Sequence, residues 1–219
     1  MLVGVEAYVE SGVGGHADNS VQAWVYDIAS WGICGQGLDE SEALDGLSRQ
    51  VHSRNFRVTE RISGDEQTFS RDERLASADK RHATLNILRA ARGETCRLVA
   101  SLSDAELDFI DPERTLPDWA TWTSLRQMAW HLADTESRYY LAQLGVAPPP
   151  RRPTLLAELE SSHEHVVGAV ATVAGDLSTR PGRERWTTTK VLRRLAWHER
   201  SELVTMRRLA DRARRLVGR

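Results

Sequence analysis

VLRRLAWHERSELVTMRRLA, residues 191–210, is the stretch from which the fold can be worked outward. At 100° per residue, Val191, Leu195, His198, Glu202, Met206 and Leu209, with Ala213 just beyond, fall within one narrow sector. The spacing predicts a long amphipathic helix over Thr187–Leu216, with Thr187 as its cap. His198 and Glu202 are the titratable members of an otherwise apolar stripe. A carboxylate in such a seam costs on the order of several kcal/mol unless a partner compensates it.

Upstream, three more segments carry helical periodicity. Arg81–Leu102 places Leu85, Leu88, Thr95, Leu98, Val99 and Leu102 on one face. Thr123–Leu144 does the same with Leu125, Met128, Leu132 and Tyr139, and stops at Gly145 before Pro148, Pro149 and Pro150. Thr154–Ala174 carries Leu155, Leu159, Val166, Val170 and Val173. An antiparallel four-helix bundle buries four such stripes economically. Residues 103–122 form a long crossing between the first two helices, and connections of that length are often functional.

The first residues read differently. Leu2–Glu10 and Val21–Ile28 alternate as strands, with Trp24 and Tyr26 on one face, and GVGGHADNS (residues 12–20) between them is a loop. GICGQGLDESEALDGL (residues 32–47) breaks the strand pattern and opens a helix: Asp39 and Glu42 form a capping pair, followed by Ala43, Leu44, Leu47 and Val51. Phe56–Ile62 is a further strand. The organisation expected is α+β: an α/β domain over 1–66, a polar linker over 67–77, and helices over 78–219.

Charge supports two units. Residues 1–76 hold 13 Asp+Glu against 6 Lys+Arg, and residues 77–219 hold 18 against 23, within a net charge of −2. Neither a nucleic-acid role nor a membrane role follows from that balance. Arg193, Arg200 and Arg207 project away from the apolar stripe and read as a solvated face, so the 12 basic residues of 183–219 do not indicate RNA binding. Cys34 and Cys96 have no metal-knuckle spacing. The start MLVGVEAYVESG lacks a signal-peptide pattern, no apolar run approaches a membrane span, and the expected location is the cytoplasm.

His131 lies at the edge of the apolar face of the second helix, pointing towards a neighbouring helix. His198 and Glu202, at i and i+4, can grip one ion. Two imidazoles and a carboxylate leave open positions on Zn²⁺, Ni²⁺, Fe²⁺ or Mn²⁺. The competing reading is an ion pair in which Arg81, Arg92 or Arg138 neutralises Glu202 in an inert bundle. His163 and His165 diverge on a helix and read as surface residues, while His16, His52 and His82 lack partner spacing. Trp119, Trp122, Trp130, Trp186 and Trp197 read as packing anchors.

WTSLRQMAWHLADTESRYYLAQL (residues 122–144) and WTTTKVLRRLAWHERSELVTMRRL (residues 186–209) resemble the DinB-like superfamily of metal-binding four-helix bundles. It includes thiol-dependent transferases and isomerases that use bacillithiol or mycothiol. The resemblance covers about two thirds of the chain (residues 78–219) and implies His131 and His198 as ligands, with Glu202 in the place of the family's second histidine of the last helix. It further implies a divalent metal and a low-molecular-weight thiol, a metal-dependent S-transferase or hydrolase acting on a small molecule, and Asp134 or Glu136 as outer-sphere group or base.

The turn with Asp27, Gly32, Cys34 and Gly37, followed by DESEAL, resembles the HicB-like antitoxin fold, a ββαβ or βββαβ unit. That implies a protein partner for the N-terminal domain. Two functions are carried forward. One is a metal-dependent enzyme, as a homodimer, with the first unit assisting dimerisation or covering the site. The other is a non-catalytic antitoxin-like interaction protein with a degenerate bundle.

Overall fold

The computed structural model describes residues 4–14, 20–53, 55–118 and 120–217. The expected strand start at Leu2, loop residues 15–19 with His16, and Trp119 lie outside the described residues. The architecture is α+β, with a sheet near the N-terminus and a helical C-terminal region. Contacts divide the chain into Met1–Ala83 with Ala174–Trp197, and Thr84–Val173 with His198–Arg219. This partition differs from the one read from charge and composition.

The first unit is built on strands β1 (Val5–Val13), β2 (Ser20–Trp24), β3 (Cys34–Gly37) and β4 (Phe56–Ser63), with helix α1 (Glu40–Val51) between the last two. The sheet order is β3-β2-β1-β4. β2 runs antiparallel to β1 and β3, and β4 lies parallel to β1 with Val5 opposite Phe56. A parallel neighbour needs a crossover, which β2, β3 and α1 supply.

The segment expected to leave the strand pattern contains a strand, β3. Its sequence Cys-Gly-Gln-Gly has no β-branched residue, and a Cβ on Gly35 would collide with the Ala43 carbonyl and Leu47, so α1 packs directly on that backbone. The cap is as expected on one side: Asp39 Oδ1 accepts from the Glu42 amide at 2.9 Å. The return bond goes from Leu38 N–H to Glu42 at 2.8 Å. Ala7, Val9, Val21, Ala23, Val25, Ala43 and Leu47 form the core of this layer.

The supposed polar linker is anchored inside the unit. Phe69 and Asp72 are fully buried, and Phe69 meets Tyr8 and Tyr26 edge to face. Arg193 is a second correction: it is buried, forks onto Asp72 at 3.1 and 2.7 Å, and lies 4.2 Å over the Trp24 ring. A buried acid in the 67–77 segment draws the arginine inwards, which helix periodicity alone does not reveal. Arg194 pairs with Glu10 at 2.8 Å. Thr187 caps the last helix by accepting from the Lys190 amide at 3.2 Å.

The remaining elements are α2 (Ala78–Ala100), α3 (Asp104–Leu107), α4 (Leu125–Asp134), a π-helical turn (Thr135–Tyr140), a 3₁₀ turn (Ala142–Leu144), α5 (Leu155–Thr172), the short pair β5 (Ser178–Thr179) and β6 (Trp186–Thr187), and α6 (Thr188–Val217). In the second unit α2, α4, α5 and α6 all feed one core of Val99, Leu102, Leu107, Leu125, Met128, Leu132, Leu159, Met206 and Leu209. The expected 103–122 crossing contains α3, closed by a Ser103/Glu106 capping box.

Tyr139, expected on the apolar face, is exposed, and Tyr140 is buried instead. A π turn inserts one residue per turn and advances the inward-facing register by one. No helix among the described residues is long and apolar enough to cross a membrane.

Candidate metal centre

Ser124 opens α4 as a capping box with Gln127, and the α-helical register then brings Leu125, Met128 and Leu132 into the core with His131 beside them. On α6 the stripe turns His198 inwards and carries Glu202 one turn further. His131, His198 and Glu202 converge: one ligand atom from each lies within 4.8 Å of the others. The two imidazoles present Nε2 to Nε2 at 3.4 Å.

Each member has a different surrounding. Trp122 stacks on His131 with centroids 3.6 Å apart and planes at 12°, and Thr135 Oγ1 lies 3.2 Å from His131 Nδ1. Trp122 is therefore part of the site as well as a packing residue. Burial pushes the His131 imidazole down to about 3, with His198 adding to the shift. His198 faces Glu136 Oε1 through Nδ1 at 3.3 Å, and Tyr140 meets its ring edge on.

Glu202 is half-buried as a residue, yet its Oε2 is sealed from solvent and has no hydrogen-bond partner among the described residues. Burial raises its pKa, while His198 and Arg114 pull in the opposite direction.

The ion-pair alternative predicted Arg81, Arg92 or Arg138 for Glu202. Arg92 instead pairs with Glu136 and Glu199, each at 2.8 Å, and Arg138 pairs with Asp134 and Glu158. Arg114, on the long crossing, is the cation whose field reaches Glu202, held by the Trp122 and Thr123 carbonyls at 3.1 and 3.3 Å.

Glu136 thus sits against the centre, whereas Asp134 is held by Arg138 at 3.2 Å and Arg151 at 2.6 Å. His163 and His165, expected at the surface, are half-buried; Ser137 Oγ lies 2.8 Å from His165 Nδ1.

Beneath the histidines lies a network that sequence reasoning missed. Arg92 donates to Glu136, Glu199, the Leu159 carbonyl at 2.7 Å and Ser162 at 2.9 Å, all of them buried. Burial raises Glu136 to about 7 and Glu199 to about 8, against the pull of Arg92. Glu199 Oε1 takes the bond from Arg92, and its Oε2 is buried with no hydrogen-bond partner among the described residues. Two buried carboxyls thus share one guanidinium, and Glu136 is the one whose free side faces His198. The sequence signal was available: Leu88, Arg92, Thr95 and Val99 form the buried stripe of α2, with a cation at its centre.

The donor set fits a divalent transition metal. Two imidazole nitrogens 3.4 Å apart, a carboxylate oxygen without a hydrogen-bond partner among the described residues, and an acid behind one imidazole are the donors that an acid–histidine–metal arrangement uses. No curated protein and no solved structure matches the chain, whereas the sequence pattern of the DinB superfamily matches residues 87–206. That span takes in α4, the π turn, α5 and all three candidate ligands, and covers more than half of the 219 residues. The chain belongs to the DinB superfamily.

Proposed function

We propose that this protein binds a divalent transition metal, Zn²⁺, Ni²⁺, Fe²⁺ or Mn²⁺, through His131, His198 and Glu202 and acts on a small molecule, with thiol-dependent S-transfer as its specific chemistry. The observation that carries this reading is the sealed, unpartnered Oε2 of Glu202 beside two facing Nε2 atoms. A buried carboxylate oxygen without a donor is destabilising by about 1–3 kcal/mol or more, and a cation at that point removes the cost.

When bound, such an ion supplies the Lewis acidity that favours a thiolate over a thiol on a small cofactor. The chain's own residues prepare the place. Trp122 covers one face of His131 and Tyr140 closes the edge of His198, keeping water from both rings. Glu136 Oε1 stands 3.3 Å from His198 Nδ1, and Asp134, the other acid proposed here, acts only after release from Arg138 and Arg151.

Metal analysis of protein purified without chelator tests the proposal. About one equivalent per chain is expected, lost in His198→Ala. Wild-type protein without transition metal, or equal content in the variant, would overturn it. The antitoxin-like alternative draws on one observation, the β-β-β-α-β order of the first unit. It would be favoured by a metal-free protein that copurifies with a ribonuclease.

A further inference from the structure

The Nε2 atom of a histidine is available to a metal only when the proton sits on Nδ1, and a neighbouring acceptor sets which nitrogen carries it. For His198 that neighbour is Glu136 Oε1, 3.3 Å from Nδ1. Its other oxygen, Oε2, accepts from Arg92 Nη2 at 2.8 Å. Arg92 is itself fixed through Nε to Glu199 at 2.8 Å, and through Nη1 to the Leu159 carbonyl and Ser162. A guanidinium has donors only, so its fork demands acceptors at every one of these positions.

We infer that Arg92 is a positioning residue for the metal centre, acting through Glu136 to hold His198 in the Nδ1–H tautomer and keep Nε2 unprotonated, as a ligand must be. The inference rests on the metal reading of His198 for its purpose. Its mechanism stands on the hydrogen bonds alone.

The chain of polarity makes an unusual demand on one substitution. In Glu136→Gln, Arg92 still requires an oxygen, so the amide turns its carbonyl to the guanidinium and its NH₂ to His198. Nδ1 must then accept, the proton moves to Nε2, and the ligand atom is lost although shape and volume are conserved. Removing the guanidinium as well frees the amide to rotate. The double variant Arg92→Met/Glu136→Gln should therefore regain what the single variant loses.

Nitrogen NMR of the imidazoles in chelator-treated protein reads the tautomer directly, and a cobalt(II) titration reads the consequence. The expected results are Nδ1–H at His198 in the wild type, Nε2–H in Glu136→Gln with roughly 10–100-fold weaker cobalt binding, and return towards Nδ1–H in the double variant. A merely structural role for Arg92 would make the double variant worse than the single one.

Nε2–H in the wild type overturns the inference without any variant needing to fold, and so does an unchanged tautomer in Glu136→Gln. Wild-type protein with Nδ1–H at His198 but no cobalt binding would overturn the metal reading and leave the positioning inference standing.

Discussion

In the first unit Arg193 meets Asp72 and Arg194 meets Glu10, one carboxylate to each guanidinium; in the second, Arg92 alone faces both Glu136 and Glu199. All four carboxylates are fully buried. Charge in the first pair of bridges is balanced, and the bridges tie residues distant in sequence into one layer. In the second, carboxylates outnumber cations, burial raises both carboxyls well above their ordinary range, and Glu136 faces His198. Balance suits a structural strap, whereas the unbalanced set places a buried acid directly against His198.

The largest expected effect lies in the strap. Arg193→Met leaves Asp72 buried without its paired guanidinium and should lower stability by about 3–5 kcal/mol in urea denaturation. Arg193→Met/Asp72→Leu should recover most of it, since removing both charges also removes their desolvation cost. A single variant as stable as wild type would show that the strap does not hold the unit, and the contrast between the two regions would lose one side.

These regions also differ in how much of them can be read from sequence. His198 and Glu202 announced themselves because two titratable groups interrupted an apolar stripe, and His131 because it bordered another. Arg92 interrupted the stripe of α2 in the same way, yet a single arginine offers several candidate acids and no means of choosing among them. Glu136 and Glu199 depend on how helices pack, and Glu136 also on the π turn, which shifts register at Thr135 without any glycine or proline to mark it. β3 was hidden for another reason: its glycines look like a turn, and only the approach of α1 explains them. Phe69 and Asp72 were lost in a polar run whose composition resembles a linker.

The second effect is a difference in pH dependence. Glu199, raised to about 8 in the folded protein, binds a proton that the unfolded chain releases near the ordinary carboxylate range. Its contribution is complete below about 4.5 and declines as pH rises through 8. Lys190 is opposite: burial, then Arg194 and Arg193, lower it to about 7, so the unfolded chain binds more protons above that value.

Its burden is therefore relieved as pH rises above 7, towards the ordinary lysine range. Between pH 6.5 and 8 the two slopes oppose each other in metal-free wild-type protein. Glu199→Gln should tilt the stability curve upwards with pH and Lys190→Met downwards, each by about 1–2 kcal/mol over the interval. Parallel curves for the two variants would remove the assigned difference in proton binding.

The smallest expected effect separates stoichiometry from burial. Arg126 also lies between two carboxylates, Asp104 and Asp108, each at 2.6 Å, but both acids are largely in water. Hydrogen bonding to Arg126 lowers the Asp108 carboxyl from its ordinary range, opposite to the direction burial imposes on Glu136 and Glu199. Solvent and salt screen the surplus negative charge here, so little stability depends on the cation.

Arg126→Ala should accordingly leave the denaturation midpoint within experimental scatter at physiological salt, and Arg92→Met should move it clearly under the same conditions. If the two variants lost comparable stability, the one-to-two ratio alone would account for the behaviour of Arg92. An unchanged Arg126→Ala instead assigns the dependence on Arg92 to burial, the condition that also seals Glu202 Oε2.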